Sequence, residues 1–133
     1  MSEVPTDFQQ LVQSIYAGYA GDNIYTASKE TQVSGLKYDL GKPMMELIDA
    51  DFELDLARVL TNGANKYDAE NWRKGIAFKR LIGAAKRHIN AIERGEDIDP
   101  EWNLLHTAHA ACELMFLHWM IKNRPDLDDR SGK

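Results

Sequence analysis

Residues 102–123, WNLLHTAHAACELMFLHWMIKN, are the most apolar stretch of the chain, and their spacing predicts a helix from Trp102 to about Asn123. Pro125 stops it, because the residue before a proline is pushed out of the helical region. Upstream lies an acidic loop, GEDIDPE (95–101). Before that, Leu81, Ile82, Ala85, Ile89 and Ile92 recur on one side of a helix predicted from Phe78 to Arg94 and stopped at Gly95. A polar turn, Tyr67 to Gly75, separates it from a helix expected from Asp49 to Lys66, striped by Phe52, Leu56, Val59, Leu60 and Gly63. Residues Asp22 to Pro43 keep no period and read as a long loop or arm, and Thr6 to about Ala20 reads as one further helix. The tail, PDLDDRSGK, is charged and expected to fray. No repeat and no β-alternation is present. The pattern is that of an all-α bundle forming a single domain over residues 1–133.

Composition excludes several classes. The chain has 133 residues and a formal charge of −5, which suits one domain and disfavours nucleic acid as a partner, since phosphate neutralisation needs clustered Lys and Arg. Its one cysteine, Cys112, sits among apolar residues and reads as a reduced core thiol of a cytosolic protein. The first residues, MSEVPTDFQQ, lack the basic and apolar regions of a secretory signal. The longest apolar run, Ala110 to Ile121, is broken by Glu113 and His118 and is too short to span a bilayer. A cytoplasmic protein with no membrane partner is the expectation.

Familiar catalytic signatures are missing: H-E-x-x-H, C-x-x-C, G-x-S-x-G and a His-Asp dipeptide are all absent. The segment Gly35 to Lys42 has one residue too many between its glycines for a phosphate loop, and Pro43 stands where Ser or Thr is needed. What remains is a polar stripe. His106, His109 and Glu113 are spaced i, i+3, i+7, within about 60° on one helical face. Two imidazoles and a carboxylate there suit a divalent metal or a phosphate ester, or else they cap neighbouring helices. His118 falls off the stripe and reads as structural, while His88 shares the apolar face of its helix and points inward or into a cleft. Asp49 and Asp51 complement a helix N-terminus. Asp55, at the edge of the apolar face, needs a cation, either a metal or an Arg or Lys side chain. Asp97, Asp99 and Glu101 either cap the last helix or supply carboxylates beside His106. Lys37, Asp39 and Lys42 in the arm, with Asn71, Trp72, Arg73 and Lys74 in the turn, form a basic-aromatic set suited to a nucleotide.

Five strings in order, GLKYDLGKPMMELI, DLARVLTNGANKY, NWRKG, RLIGAAKRHINAIERGEDIDPE and HTAHAACELMFL, resemble the small MazG-like dATP/dGTP diphosphohydrolases of phages over about residues 35–117. The resemblance implies an all-α fold assembled as dimers or tetramers. It also implies hydrolysis of a deoxypurine triphosphate, dGTP favoured, to monophosphate and pyrophosphate, with Mg2+ or Mn2+, in the host cytoplasm if phage-encoded. In some phages this step supplies dGMP for 2-aminoadenine genomes. Asp55 stands where the family usually has Glu, and Arg87, His88, Asp99, Glu101, His106 and His109 match family positions. Glu113 and Asn103 depart from a small polar residue and a glycine. MazG relatives hold metal with E-x-x-E and E-x-x-D pairs, which this chain lacks in clean form. The implied metal ligands are therefore Asp55, Asp99, Glu101, His106, His109 and Glu113. Asp55, His88 and His109 fall to catalysis, and Lys37, Asp39, Lys42, Asn71, Trp72 and Arg87 to substrate. The alternatives are a non-catalytic nucleotide sensor or helical interaction protein on the same scaffold, and hydrolysis of a modified or non-nucleotide phosphate.

Overall fold

The computed structural model describes residues 36–132. The expected first helix and most of the arm lie outside them. The chain divides into two units between Leu47 and Ile48. The described part of the first, residues 36–47, holds a turn closed by the Lys42 N–H on the Asp39 carbonyl (3.0 Å), then a single 3-10 turn, Met45–Leu47.

The second unit carries α1 (Ala50–Tyr67), α2 (Phe78–Glu93), β1 (Ile98–Asp99), β2 (Leu104–Leu105) and α3 (His106–Asn123), with 3-10 turns at Asn71–Lys74 and Pro125–Leu127. The all-α reading holds, and α1 and α2 lie within a residue or two of their expected limits. α1 begins where Asp49 accepts the Phe52 N–H at 2.8 Å, with Asp51 and Glu53 in the first turn, as the sequence indicates. α2 ends in a Schellman turn. Gly95 (φ 86°) takes the left-handed position, and the Glu96 and Gly95 N–H groups return to the Ala91 and Ile92 carbonyls.

α3 starts later than its apolar pattern suggests. Residues 98–105 form a short antiparallel hairpin pairing Ile98 with Leu105 and Asp99 with Leu104. The Asp99 carboxylate accepts the Glu101 N–H (2.8 Å), and Asn103 adopts φ 54°, which Asn tolerates better than most residues. These local turn bonds hold the chain out of the helix until His106, whose N–H is held by the Asp97 carbonyl (2.9 Å). A two-residue ladder is too short to leave an alternating pattern in the sequence.

α3 packs on both α1 and α2 and carries apolar side chains beyond a single face, which suits its place between two core clusters. In one, Val59 of α1 meets Ala108 and Cys112, flanked by Leu56, Leu60, Trp102 and Leu104. In the other, Phe78 and Leu81 of α2 meet Met120, flanked by Trp72, Ile76, Trp119 and Leu127. Burial pushes the Cys112 thiol up to about 12, so it stays protonated at neutral pH. No helix among the described residues is long and apolar enough to cross a membrane.

The tail, read as frayed, has partners. Leu127 joins the second cluster, the Arg130 guanidinium lies 5.3 Å from the Phe78 ring centre, and Arg130 pairs with Asp128 at 2.8 Å. Asp129 accepts the Lys79 N–H (2.8 Å), capping α2 where Ala77 offers no side chain to do so. A cap drawn from 50 residues away has no local sequence signal. Asp129→Ala is expected to cost about 1 kcal/mol of stability, read as a lower urea midpoint with an unchanged slope. A change below a few tenths would show that water replaces the cap.

Candidate functional site

Three elements bring four side chains together: His88 from the third turn of α2, Asp99 from the end of β1, and His106 and His109 from the first turn of α3. The stripe spacing puts both α3 imidazoles on the face that looks at α2, and the hairpin folds Asp99 back beside them. His88 Nδ1 lies 2.9 Å from His106 Nδ1, so the two rings share one proton. The nearer Asp99 oxygen is 3.7 Å from each of those nitrogens. His109 stacks with His88 (ring centres 4.8 Å apart, 19° between planes) and with Trp102 (5.4 Å, 26°).

His106 and His109 are buried, and among the described residues the Nε2 atom of each has no hydrogen-bond partner. Leaving two such atoms orphaned in the interior costs about 1–3 kcal/mol each unless something outside the chain satisfies them. Donor atoms of His88, Asp99 and His109 all lie within 4.8 Å of one another, a separation one divalent ion can bridge. Two imidazoles and a carboxylate suit a borderline transition ion better than Mg2+, which prefers oxygen ligands and keeps much of its water.

Burial lowers the His109 pKa, against the opposing pull of the Asp99 carboxylate. Burial also lowers that of His88, aided by the neighbouring His109. Both rings are thus neutral near pH 7, the form that binds metal. The unfolded chain takes up protons at these histidines first, near pH 6.5, so stability is fully present above that pH and drains away as the pH falls below it. In EDTA the Tm is expected to fall on acidification below about pH 6.5, and less steeply in His88→Gln. An identical slope in the variant would remove His88 from the account.

These groups line one side of a cavity of about 1220 Å3. His88, Asp99, Glu101, Trp102 and His109 stand on that wall, while Gly63, Ala64, Gly83 and Ala84 of α1 and α2 leave it open. The 71–75 turn, Arg87 and Glu113 also face it.

The structure sorts the residues singled out in the sequence. His88, Asp99, His106 and His109 are brought together. Glu101 faces the same cavity and pairs with Lys66 at the end of α1 (3.0 Å). Asp55 does not line the cavity: its cation is Arg58, one turn on at 2.8 Å, the structural alternative open to it in the sequence. Glu113 lies outside the group of mutually close metal donors. Lys37, Asp39 and Lys42 belong to the first unit, where both lysines pair with Asp39 (3.5 and 3.2 Å), and the Lys42 hydrogen bond holds that exposed carboxyl below its usual range. Trp72 lines the cavity, and its ring stacks on Phe116 (4.6 Å, 20°) and carries the Arg73 guanidinium (4.6 Å). Asn71 and Arg87 keep access to the cavity. Sequence reasoning missed Trp102 as the plate against His109, and its position directly after the acidic loop was the signal available.

A family model described as dATP/dGTP diphosphohydrolase, N-terminal, matches residues 32–130. A curated protein of Salmonella phage PMBT28 named dATP/dGTP diphosphohydrolase is 46% identical over 98 residues, which is 74% of this chain and 33% of that protein. The chain therefore spans about one third of the length of the curated relative it matches. No solved structure matches it.

Proposed function

This chain belongs to the dATP/dGTP diphosphohydrolase family, and on that premise we propose that it hydrolyses a deoxypurine nucleoside triphosphate between the α- and β-phosphates. The observation that carries the reading is the His88–Asp99–His109 group, with its orphaned imidazole nitrogen, on the wall of a cavity large enough for a nucleotide. His88, Asp99 and His109 would hold a divalent ion, Mn2+ in preference to Mg2+, and His106 would fix the tautomer of His88 through their shared proton. The ion would supply a water activated near neutral pH and neutralise phosphate oxygens.

The remaining roles fall to this chain's own residues. Arg73, Lys74, Lys79 and Arg80 also line the cavity and would draw an anionic substrate towards it. Trp102 holds the His109 ring in plane by stacking. The reaction balances as one water consumed: its oxygen bonds to phosphorus, the bridging oxygen leaves with pyrophosphate, and one proton is released. In a phage that replaces adenine by 2-aminoadenine, dGMP formed this way feeds that synthesis. Self-assembly into dimers or tetramers fits the apolar side chains left on the surface of α3, Leu114 and Ile121 (52% and 46% exposed), and light scattering in solution measures it.

The test is product analysis. The four deoxynucleoside triphosphates are incubated with Mn2+, Mg2+ or EDTA and the products resolved by ion exchange. Pyrophosphate with a purine monophosphate, lost in EDTA, is expected. Release of inorganic phosphate or intact triphosphate would overturn the bond assignment, and tight nucleotide binding without turnover would point to a sensor.

A further inference from the structure

One charged group in the cavity has no use in that reading. Glu113 sits one turn after His109 on α3, about 6 Å further along the helix axis, and its side chain is half-buried on the cavity wall. Among the described residues its carboxylate makes no hydrogen bond and no ion pair. Burial pushes its pKa upward, and Arg87 is the positive charge that partly offsets this. The Arg87 guanidinium lies across Gly83, where an added Cβ would come within 3.4 Å of it. A carboxylate drawn out of water without a partner destabilises the fold, and the donors of a ligand in the cavity would satisfy it.

The wall around it suits a flat heterocycle. Gly63 and Ala64 of α1 and Gly83 and Ala84 of α2 project almost no side chain into the cavity, and an added Cβ on Gly63 would meet nothing within 4 Å. Phosphates belong at the His88–Asp99–His109 end, which places the base of the same nucleotide towards Glu113.

We propose that Glu113 is the base-reading residue, its ionised carboxylate accepting the N1–H and the 2-amino N–H of guanine, so that the site selects guanine over adenine. This rests on the nucleotide reading above. Guanine presents two adjacent donors to a group that only accepts, and its O6 accepts from a cation such as Arg87. Adenine presents one donor, its 6-amino group, beside the N1 lone pair. An ionised carboxylate meets that lone pair with a lone pair of its own, and the cation meets an amino group. The discrimination arises from hydrogen bonds left unmade on the enzyme, the kind that separates substrates most strongly.

Glu113→Gln inverts the code without changing shape, because its amide accepts from the adenine 6-amino group and donates to N1. Binding of dGMP and dAMP, turnover of dGTP and dATP, Mn2+ affinity and thermal unfolding are measured on wild type, Glu113→Gln and Glu113→Asp. The wild type is expected to prefer dGMP, and Glu113→Gln to lose roughly 10- to 100-fold in dGMP affinity and gain for dAMP. Mn2+ affinity is expected to stay unchanged, and the Tm at neutral pH to rise, because the unpaired charge is gone. Glu113→Asp keeps the guanine preference with weaker binding, which guards against a misfolded Gln variant. An unaltered dGMP-to-dAMP ratio overturns the proposal, as does a loss of Mn2+ affinity, which would make Glu113 a metal ligand. Normal dGTP turnover with an unaltered ratio sinks this inference alone. An inverted ratio without turnover of either triphosphate sinks the enzyme reading alone.

Discussion

His109→Ala is expected to lower Mn2+ affinity, and with it any hydrolysis of dGTP, by more than about 100-fold, since loss of a residue only one step removed from a metal already costs 10- to 100-fold. His109 is buried, its Nε2 has no hydrogen-bond partner among the described residues, and it is one of three residues whose donor atoms lie within 4.8 Å of one another. Removing it leaves His88 and Asp99, too few ligands to hold an ion against water. The same change takes away the neighbour that helps to lower the His88 pKa, so the His88 imidazole is expected to titrate closer to its ordinary value. Calorimetric titration with Mn2+ and an NMR titration of the histidine ring protons read the two effects separately. Undiminished Mn2+ binding in this variant would place the ion elsewhere and remove the cluster from the mechanism.

Phe78→Ala carries the largest expected loss of stability, about 3–5 kcal/mol, set against a total of about 5–15 kcal/mol for a domain of this kind. Phe78 is 1% exposed and packs with Leu81 and with Met120, which is wholly buried. It is also where three parts of the chain converge: the first turn of α2, the C-terminal part of α3, and the tail through Arg130. Truncation opens a cavity that the surrounding helices cannot close, and it removes the surface against which the tail lies. Urea unfolding is expected to show a much lower midpoint with the slope retained. A loss below about 1 kcal/mol would mean that the second core cluster is not the one that holds α2 to α3.

Asp55 and His106 illustrate what the sequence could and could not reveal. Both sit in helices whose limits were largely legible, because helical periodicity and capping act over a few residues. From that range alone Asp55 could pair with a metal or a basic side chain, and in the structure it pairs with the arginine one turn away. His106 and His109 were legible as a stripe for the same reason. Their meeting with His88 was not, since it depends on α2 and α3 crossing at the right height. The stacking of Trp72 on Phe116 was not legible either, because the two are remote in sequence.

By itself the sequence determined that the chain is helical, where α1 and α2 begin and end, which face of α3 is polar, and to which family the chain belongs. These follow from local spacing, from capping side chains and from motif order. Only the tertiary structure decided that residues 98–105 fold into a hairpin, that Asp129 caps α2, that Asp55 pairs with Arg58, and that Glu113 faces the cavity with no hydrogen bond among the described residues. The physical reason is range: a hydrogen bond or metal-ligand distance is set to within an ångström by the packing of elements distant in sequence, and periodicity along one helix carries no information about that distance.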